Sequence, residues 1–165
     1  MSKKEATILL VDDDESICRT LSLMLKENGY VVQTARTGKE AIEKSKANSF
    51  NVSILDIRLP DVEGTELLKL LRETSPKMVK IMFTGYPKLE NAVKALNEGA
   101  DAYIMKPVDI EELLATIEEK LEQQASIEKM TEEKISAFLE TRARRLLNKT
   151  RLDARAGQRN QRNNT

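Results

Sequence analysis

Between residues 7 and 108, short and largely apolar runs alternate with helix-length segments, and this alternation restricts the fold more than any other feature of the chain. The runs span 7–11, 31–35, 52–56, 79–83 and 102–105. They are too short for core helices and lack the polar alternation of half-solvated strands, so each reads as a strand covered on both faces. The segments between them carry helical periodicity. Residues 15–28 place Ile17, Leu21, Met24 and Leu25 on one face, and 64–74 place Leu67, Leu68, Leu70 and Leu71 inward. Residues 88–98 use Val93, Leu96 and the flanking alanines. Gly29, Gly38, Gly64 and Gly99 punctuate the segment boundaries. Such a β-α repeat predicts an α/β fold, a doubly wound five-stranded parallel sheet with helices on both faces.

Four of the runs end on polar residues of different kinds. Ile8-Leu9-Leu10-Val11 leads into Asp12-Asp13-Asp14, and Val52-Ser53-Ile54-Leu55 leads into Asp56. The fourth run leads into Thr84 and the fifth into Lys106. In a parallel sheet these groups gather at one edge, the edge where open α/β sheets bind ligands. Carboxylates facing one another across adjacent strands repel unless a cation lies between them. Asp13 or Asp14 is explained by capping the following helix, but that leaves Asp56 unexplained. A carboxylate, a hydroxyl and an ammonium together suit a metal ion and a phosphoryl group. Taken alone, Thr84 reads better as a turn hydroxyl, Lys106 as a surface lysine, and Tyr103 equally as packing or as a moving part.

Composition narrows the chemistry. The chain of 165 residues contains no histidine and one cysteine, Cys18. Histidine-dependent nucleophile systems and the usual zinc sites are excluded, as is an internal disulfide. A metal must be held by oxygen, which favours magnesium, calcium or manganese. No stretch approaches the ~20 apolar residues of a membrane span. The opening Met1-Ser2-Lys3-Lys4-Glu5 leads into only four apolar residues, so no secretory signal is expected and the chain reads as cytoplasmic.

Beyond Asp109 the texture changes. Pro107 is the last proline and no glycine occurs between Gly99 and Gly157, so 109–150 is predicted to be helical; forty such residues would span about 60 Å. Its charge is sorted. Segment 109–140 holds ten Asp/Glu against three Lys, a net of −7, and 142–165 holds eight Lys/Arg against Asp153, a net of +7. With Leu114, Ile117 and Leu121 as core positions, the next places hold Gln124, Glu128 and Thr131, and apolar residues return only at Ile135 and Phe138. That interruption argues against a long coiled coil and leaves a short dimer contact open. Residues 151–165 have almost nothing to bury and are expected to be disordered.

Together the strand-end residues resemble the receiver domains of two-component response regulators. The likeness rests on Leu10-Val11-Asp12-Asp13-Asp14, on Leu55-Asp56-Ile57-Arg58-Leu59-Pro60-Asp61-Val62-Glu63-Gly64, on Phe83-Thr84-Gly85-Tyr86 and on Tyr103-Ile104-Met105-Lys106-Pro107, and covers about residues 5–124. It implies a flavodoxin-like sheet of order 2-1-3-4-5, a receiver domain over 1–124, a charged helical extension over 125–150 and a basic disordered tail over 151–165. By resemblance Asp56 is the phosphoacceptor. Asp13, Asp56 and the backbone carbonyl of Arg58 hold Mg²⁺, and Asp12 acts mainly through metal-bound water. Lys106 contacts the phosphoryl group, Thr84 moves to bond it, Tyr103 turns inward, and the Lys106–Pro107 peptide is cis. The donor is then the phosphohistidine of a histidine kinase or phosphotransfer protein, which fits a chain without histidine of its own. Such a chain is a signalling phosphoacceptor and not an enzyme. Its output would run through the fourth helix, fifth strand, fifth helix and the extension, through which a homodimer is open. Tyr86, beside the site, and Arg58 are the departures expected to tune the acyl-phosphate lifetime.

Two rivals are weighed against this reading. A haloacid dehalogenase-like phosphatase would use Asp12 as nucleophile and Asp14 as acid/base, but it leaves Asp56 and its Leu-Pro turn unexplained. A non-phosphorylated scaffold of the same fold would not need every site residue intact. The arginines and lysines from Arg142 to Arg162 suit nucleic acid or an acidic membrane, yet no aromatic follows Phe138 to stack on bases, and a solvated tail is the favoured reading.

Overall fold

A computed structural model describes residues 5–85 and 88–162. The elements in chain order are β1 (Thr7–Val11), α1 (Glu15–Glu27), β2 (Val31–Ala35), α2 (Gly38–Ala47), β3 (Val52–Asp56), α3 (Gly64–Thr74), β4 (Val79–Thr84), α4 (Leu89–Asn97), β5 (Ala102–Met105) and α5 (Ile110–Arg162). The five strands form one parallel sheet of order β2-β1-β3-β4-β5, the predicted doubly wound topology. The chain divides into two units, Met1–Gln124 and Ala125–Thr165.

Strand alternation separates the core of the first unit into two layers. Ile8, Leu10, Ile54, Ile81, Phe83 and Ile104 face one side, under Leu21 and Leu25 of α1 and Leu113 and Ile117 of α5. Leu9, Val11, Leu55 and Met82 face the other, under Leu67, Leu68 and Leu71 of α3, with Ala41 of α2 and Ala95 of α4. Each fully buried leucine or isoleucine contributes roughly 1.5–3 kcal/mol, so the continuous apolar runs are what fix the sheet.

Three residues expected to point inward do not. Leu70, Val93 and Leu96 are exposed. In α3 the pair Leu67-Leu68 with Leu71 completes the buried stripe, and Leu70 falls about 60° beyond its edge. In α4 Ala95 is the fully buried residue on the sheet-facing side, and Val93 and Leu96 lie on the outer face.

α5 begins at Asp109, whose Oδ1 accepts the amides of Glu111 at 2.9 Å and Glu112 at 3.3 Å, a conventional N-cap. For 151–162 the expected disorder is corrected here, because the helix continues through Arg162; 163–165 lie outside the described residues. Once a helix is nucleated, each added residue gains a hydrogen bond without needing anything to bury. Arginine, leucine, alanine and glutamine propagate it well, and no proline interrupts. The second unit is helical throughout its described length, and its large apolar residues, Ile127, Met130, Ile135, Phe138, Leu139, Leu146, Leu147 and Leu152, are all exposed.

Candidate functional site: a carboxylate cluster at the sheet edge

The central strands deliver the acidic groups. β1 ends at Val11, and its partner β3 ends at Asp56, so the residues following β1 lie beside Asp56. Asp12 and Asp56 are buried and Asp13 is exposed. One oxygen from each of Asp12, Asp13 and Asp56 lies within 4.8 Å of the others. Each such pair of charges repels by about 3 kcal/mol at an effective dielectric constant of ~20.

Lys106, just after β5, supplies the counter-charge. Its Nζ donates to Asp12 Oδ2 at 2.7 Å and lies 3.4 Å from Asp56 Oδ2. The ammonium also sits 5.0 Å from the centre of the Phe83 ring. Burial opposes its charge, but the hydrogen bond and charge of Asp12, followed by those of Asp56, outweigh burial and raise its pKa. At Asp56 burial comes first and the Asp12 charge second, and together they lift the carboxyl above its ordinary value despite Lys106. One lysine against three carboxylates leaves two negative charges in a set made of oxygen donors. That set fits a divalent hard cation.

Local structure holds these groups in place. Asp12 Oδ1 accepts the Asp14 amide at 2.9 Å, and its backbone carbonyl accepts the Cys18 thiol at 3.2 Å. Asp14 caps α1, accepting the amides of Ser16 and Ile17, so the capping role that sequence left open between Asp13 and Asp14 belongs to Asp14. The Arg58 amide donates to Asp56 Oδ1 at 3.4 Å, and Arg58 bridges Glu63 across the loop after β3. That loop is closed by Gly64, whose amide donates to the Ile57 carbonyl at 2.7 Å. A Cβ on Gly64 would lie 2.1 Å from the Asp56 carbonyl oxygen, so only glycine fits.

Thr84 ends β4 fully buried, and its carbonyl accepts the Lys106 amide at 2.7 Å. Its side chain is hydrogen-bonded to that of Tyr103, which links the site to β5. Lys106–Pro107 is cis, as the resemblance implies. Tyr86 lies outside the described residues.

The chain matches the response regulator receiver domain family over residues 8–118. It belongs to that family. A crystal structure of a CheY-like receiver domain protein from Methanospirillum hungatei JF-1 is 49% identical, with a TM-score of 0.72, and the match covers 73% of this chain and 97% of that one. A response regulator from Burkholderia pseudomallei, crystallised with a phosphorylated aspartic acid, a calcium ion and citrate, is 30% identical with a TM-score of 0.67, over 74% of this chain and 72% of that one. Among curated relatives, the transcriptional regulatory protein ZraR of Escherichia coli (strain K12) is 35% identical over 131 residues, 79% of this chain. The chain spans only 30% of that relative's length.

Two further residues of this receiver domain carry weight that sequence reading did not assign. Asp61 reaches out of the β3–α3 loop and accepts the amides of Gly38 at 2.8 Å and Lys39 at 2.9 Å, tying the loop to the start of α2. Those bonds hold its carboxyl below the ordinary range, Lys39 first and Gly38 second. Lys80 is buried on β4, and its Nζ donates to the carbonyls of Ser75 at 2.9 Å and Met78 at 2.7 Å. No charge pattern marks either role, since both partners are backbone groups distant in sequence or hidden in a turn.

Proposed function

We propose that the chain is the phosphoacceptor of a two-component phosphorelay, taking a phosphoryl group onto Asp56 from the phosphohistidine of a histidine kinase or phosphotransfer protein. The observation that carries this reading is the convergence of Asp12, Asp13 and Asp56 on one edge with Lys106 bridging Asp12 and Asp56. Asp13, Asp56 and the Arg58 carbonyl would hold Mg²⁺, with Asp12 acting through water. When bound, the cation neutralises the carboxylates and the incoming phosphoryl oxygens, which is most of what phosphoryl transfer requires.

The remaining work belongs to side chains. Asp56 attacks phosphorus, the P–N bond of the donor breaks, and the electron pair stays on the donor imidazole. Lys106 is already within reach of Asp56 and would exchange a carboxylate for a phosphoryl oxygen. The Thr84 hydroxyl would give up Tyr103 to bond the phosphoryl group, freeing the Tyr103 ring on β5 to turn inward. The output would pass through α4, β5, α5 and the extension, and a homodimer through α5 and the extension is part of this proposal. The chain would serve in the cytoplasm, assisting only its own phosphorylation and hydrolysis. The phosphorylated aspartate and calcium ion of the Burkholderia pseudomallei relative support an aspartyl phosphate beside a divalent cation in this fold.

The phosphatase reading is not favoured. Asp14, its acid/base, is the helix cap, and Asp12, its nucleophile, is held by Lys106 at 2.7 Å. Hydrogen exchange of the full chain with Mg²⁺ and beryllofluoride tests the proposal. Protection should change at the sheet edge and within 109–150, and not in Asp56→Asn. The proposal is refuted if neither hydrogen exchange nor oligomeric state changes.

A further inference from the structure

The transfer of the phosphoryl group makes no use of the apolar stripe of the second unit. Ile135 is 55% and Phe138 61% exposed, and Leu139 beside them is likewise exposed. With Ile135 and Phe138 as neighbouring a and d core positions, the preceding core places hold Glu128 and Thr131 and the following ones Arg142 and Arg145. Two apolar residues therefore sit between a carboxylate on one side and guanidinium groups on the other.

We propose that this segment pairs with the same segment of a second copy of the chain in antiparallel orientation. In that arrangement a positions face d positions. Ile135 of each copy packs on Phe138 of the other, Thr131 faces Arg142, and Glu128 faces Arg145. A single two-fold axis between Ile135 and Phe138 generates every one of these pairs, as an isologous interface requires. The flanks agree. The acidic segment, net −7 over 109–140, would run beside the partner's basic segment, net +7 over 142–165.

Parallel pairing of the same helices fails on the same residues. Glu128 would meet Glu128, and Arg142 and Arg145 would each meet their own copy, three layers of like charge around two apolar ones. Charged groups at core positions commonly select orientation and register at a cost in affinity. The polar gap in the heptads, which argues against a long coiled coil, is here the feature that selects the antiparallel partner. The inference rests on the homodimer reading above, to which it adds orientation and register, and it is independent of chemistry at Asp56.

Light scattering on the full chain tests it. Wild type should have twice the 18.7 kDa mass of one chain, and the mass should fall toward that value at high salt. Glu128→Arg or Arg145→Glu alone should shift the mass to the monomer with helix content unchanged, and the double reversal Glu128→Arg/Arg145→Glu should restore the dimer. In a Cys18→Ala background, Ile135→Cys should form a disulfide with Phe138→Cys mixed in from a second preparation, in preference to one with itself. A monomeric wild type overturns both the homodimer and its register. A dimer indifferent to the single reversals, or one cross-linking through Ile135→Cys alone, overturns the antiparallel register and leaves the homodimer standing. Incorporation of phosphoryl from acetyl phosphate should equal wild type in the Glu128 and Arg145 variants, and should equal the Cys18→Ala parent in the cysteine variants, which separates these outcomes from failure at Asp56.

Discussion

The two units of this chain are both regular and put their apolar residues to opposite use. In Met1–Gln124 the large apolar residues are mostly enclosed in two layers, and the sheet they fix sets Asp12, Asp13 and Asp56 within 4.8 Å of one another with Lys106 bridging Asp12 and Asp56. In Ala125–Thr165 they are exposed, and the secondary structure rests on backbone propagation. A packed core can hold like charges together against repulsion. Along the exposed helix the charges are instead sorted into an acidic and a basic stretch, and in the proposed antiparallel pairing each stretch lies beside the opposite stretch of a second chain.

The sharpest way to break this contrast is at Gly64. Gly64→Ala forces a methyl against the Asp56 carbonyl and the Ile57 Cα, backbone that has nowhere to move. We expect a loss of about 3 kcal/mol in denaturant unfolding of the first unit, together with loss of phosphoryl acceptance. An unchanged midpoint would mean the loop after β3 is not held as described.

Mg²⁺ should sharpen it next. A ligand at a hundredfold its dissociation constant stabilises the folded state by about 2.7 kcal/mol. Thermal unfolding of wild type should rise with Mg²⁺ by several degrees, and Asp13→Ala should abolish most of the rise. An equal rise in both proteins would remove Asp13 from the metal site.

Asp61 gives a smaller effect with a defined pH dependence. Its folded pKa lies below the ordinary 3.8 because the Lys39 and Gly38 amides favour the carboxylate. Its contribution is therefore full above that ordinary value and is lost as pH falls through the folded pKa. Asp61→Ala should lower Tm at neutral pH, and the gap to wild type should close in acid. A gap that persists at low pH would assign the loss to packing.

Smallest of all is the effect of Phe138→Ala on the first unit. Its denaturant stability should change by no more than about 0.5 kcal/mol, since the side chain is exposed and belongs to the other unit.

How much of this was legible in the sequence follows the same division. The strands stand at the predicted places, with Thr84 now the last residue of β4, because continuous apolar runs of this length have few other uses. The helix faces were harder to read. Around Leu70, Val93 and Leu96 two adjacent stripes are both plausible, and only packing against the sheet picks the alanine side of α4. Asp12, Asp13, Asp56 and Lys106 were identifiable as strand-end residues, and their convergence follows from the topology. Asp61 was not identifiable, because its partners are amides more than twenty residues away. At 151–162 the error was to equate the absence of a buried face with the absence of a helix.

The central claim is that the carboxylate cluster exists to place a phosphoryl group on Asp56. Incubating the full chain with acetyl phosphate and Mg²⁺, reducing the acyl phosphate chemically and locating it by tandem mass spectrometry tests that directly. The account predicts a single modification, on Asp56, absent without Mg²⁺ and absent from Asp56→Asn. A modification on Asp12, or incorporation of equal extent in Asp56→Asn, would contradict it.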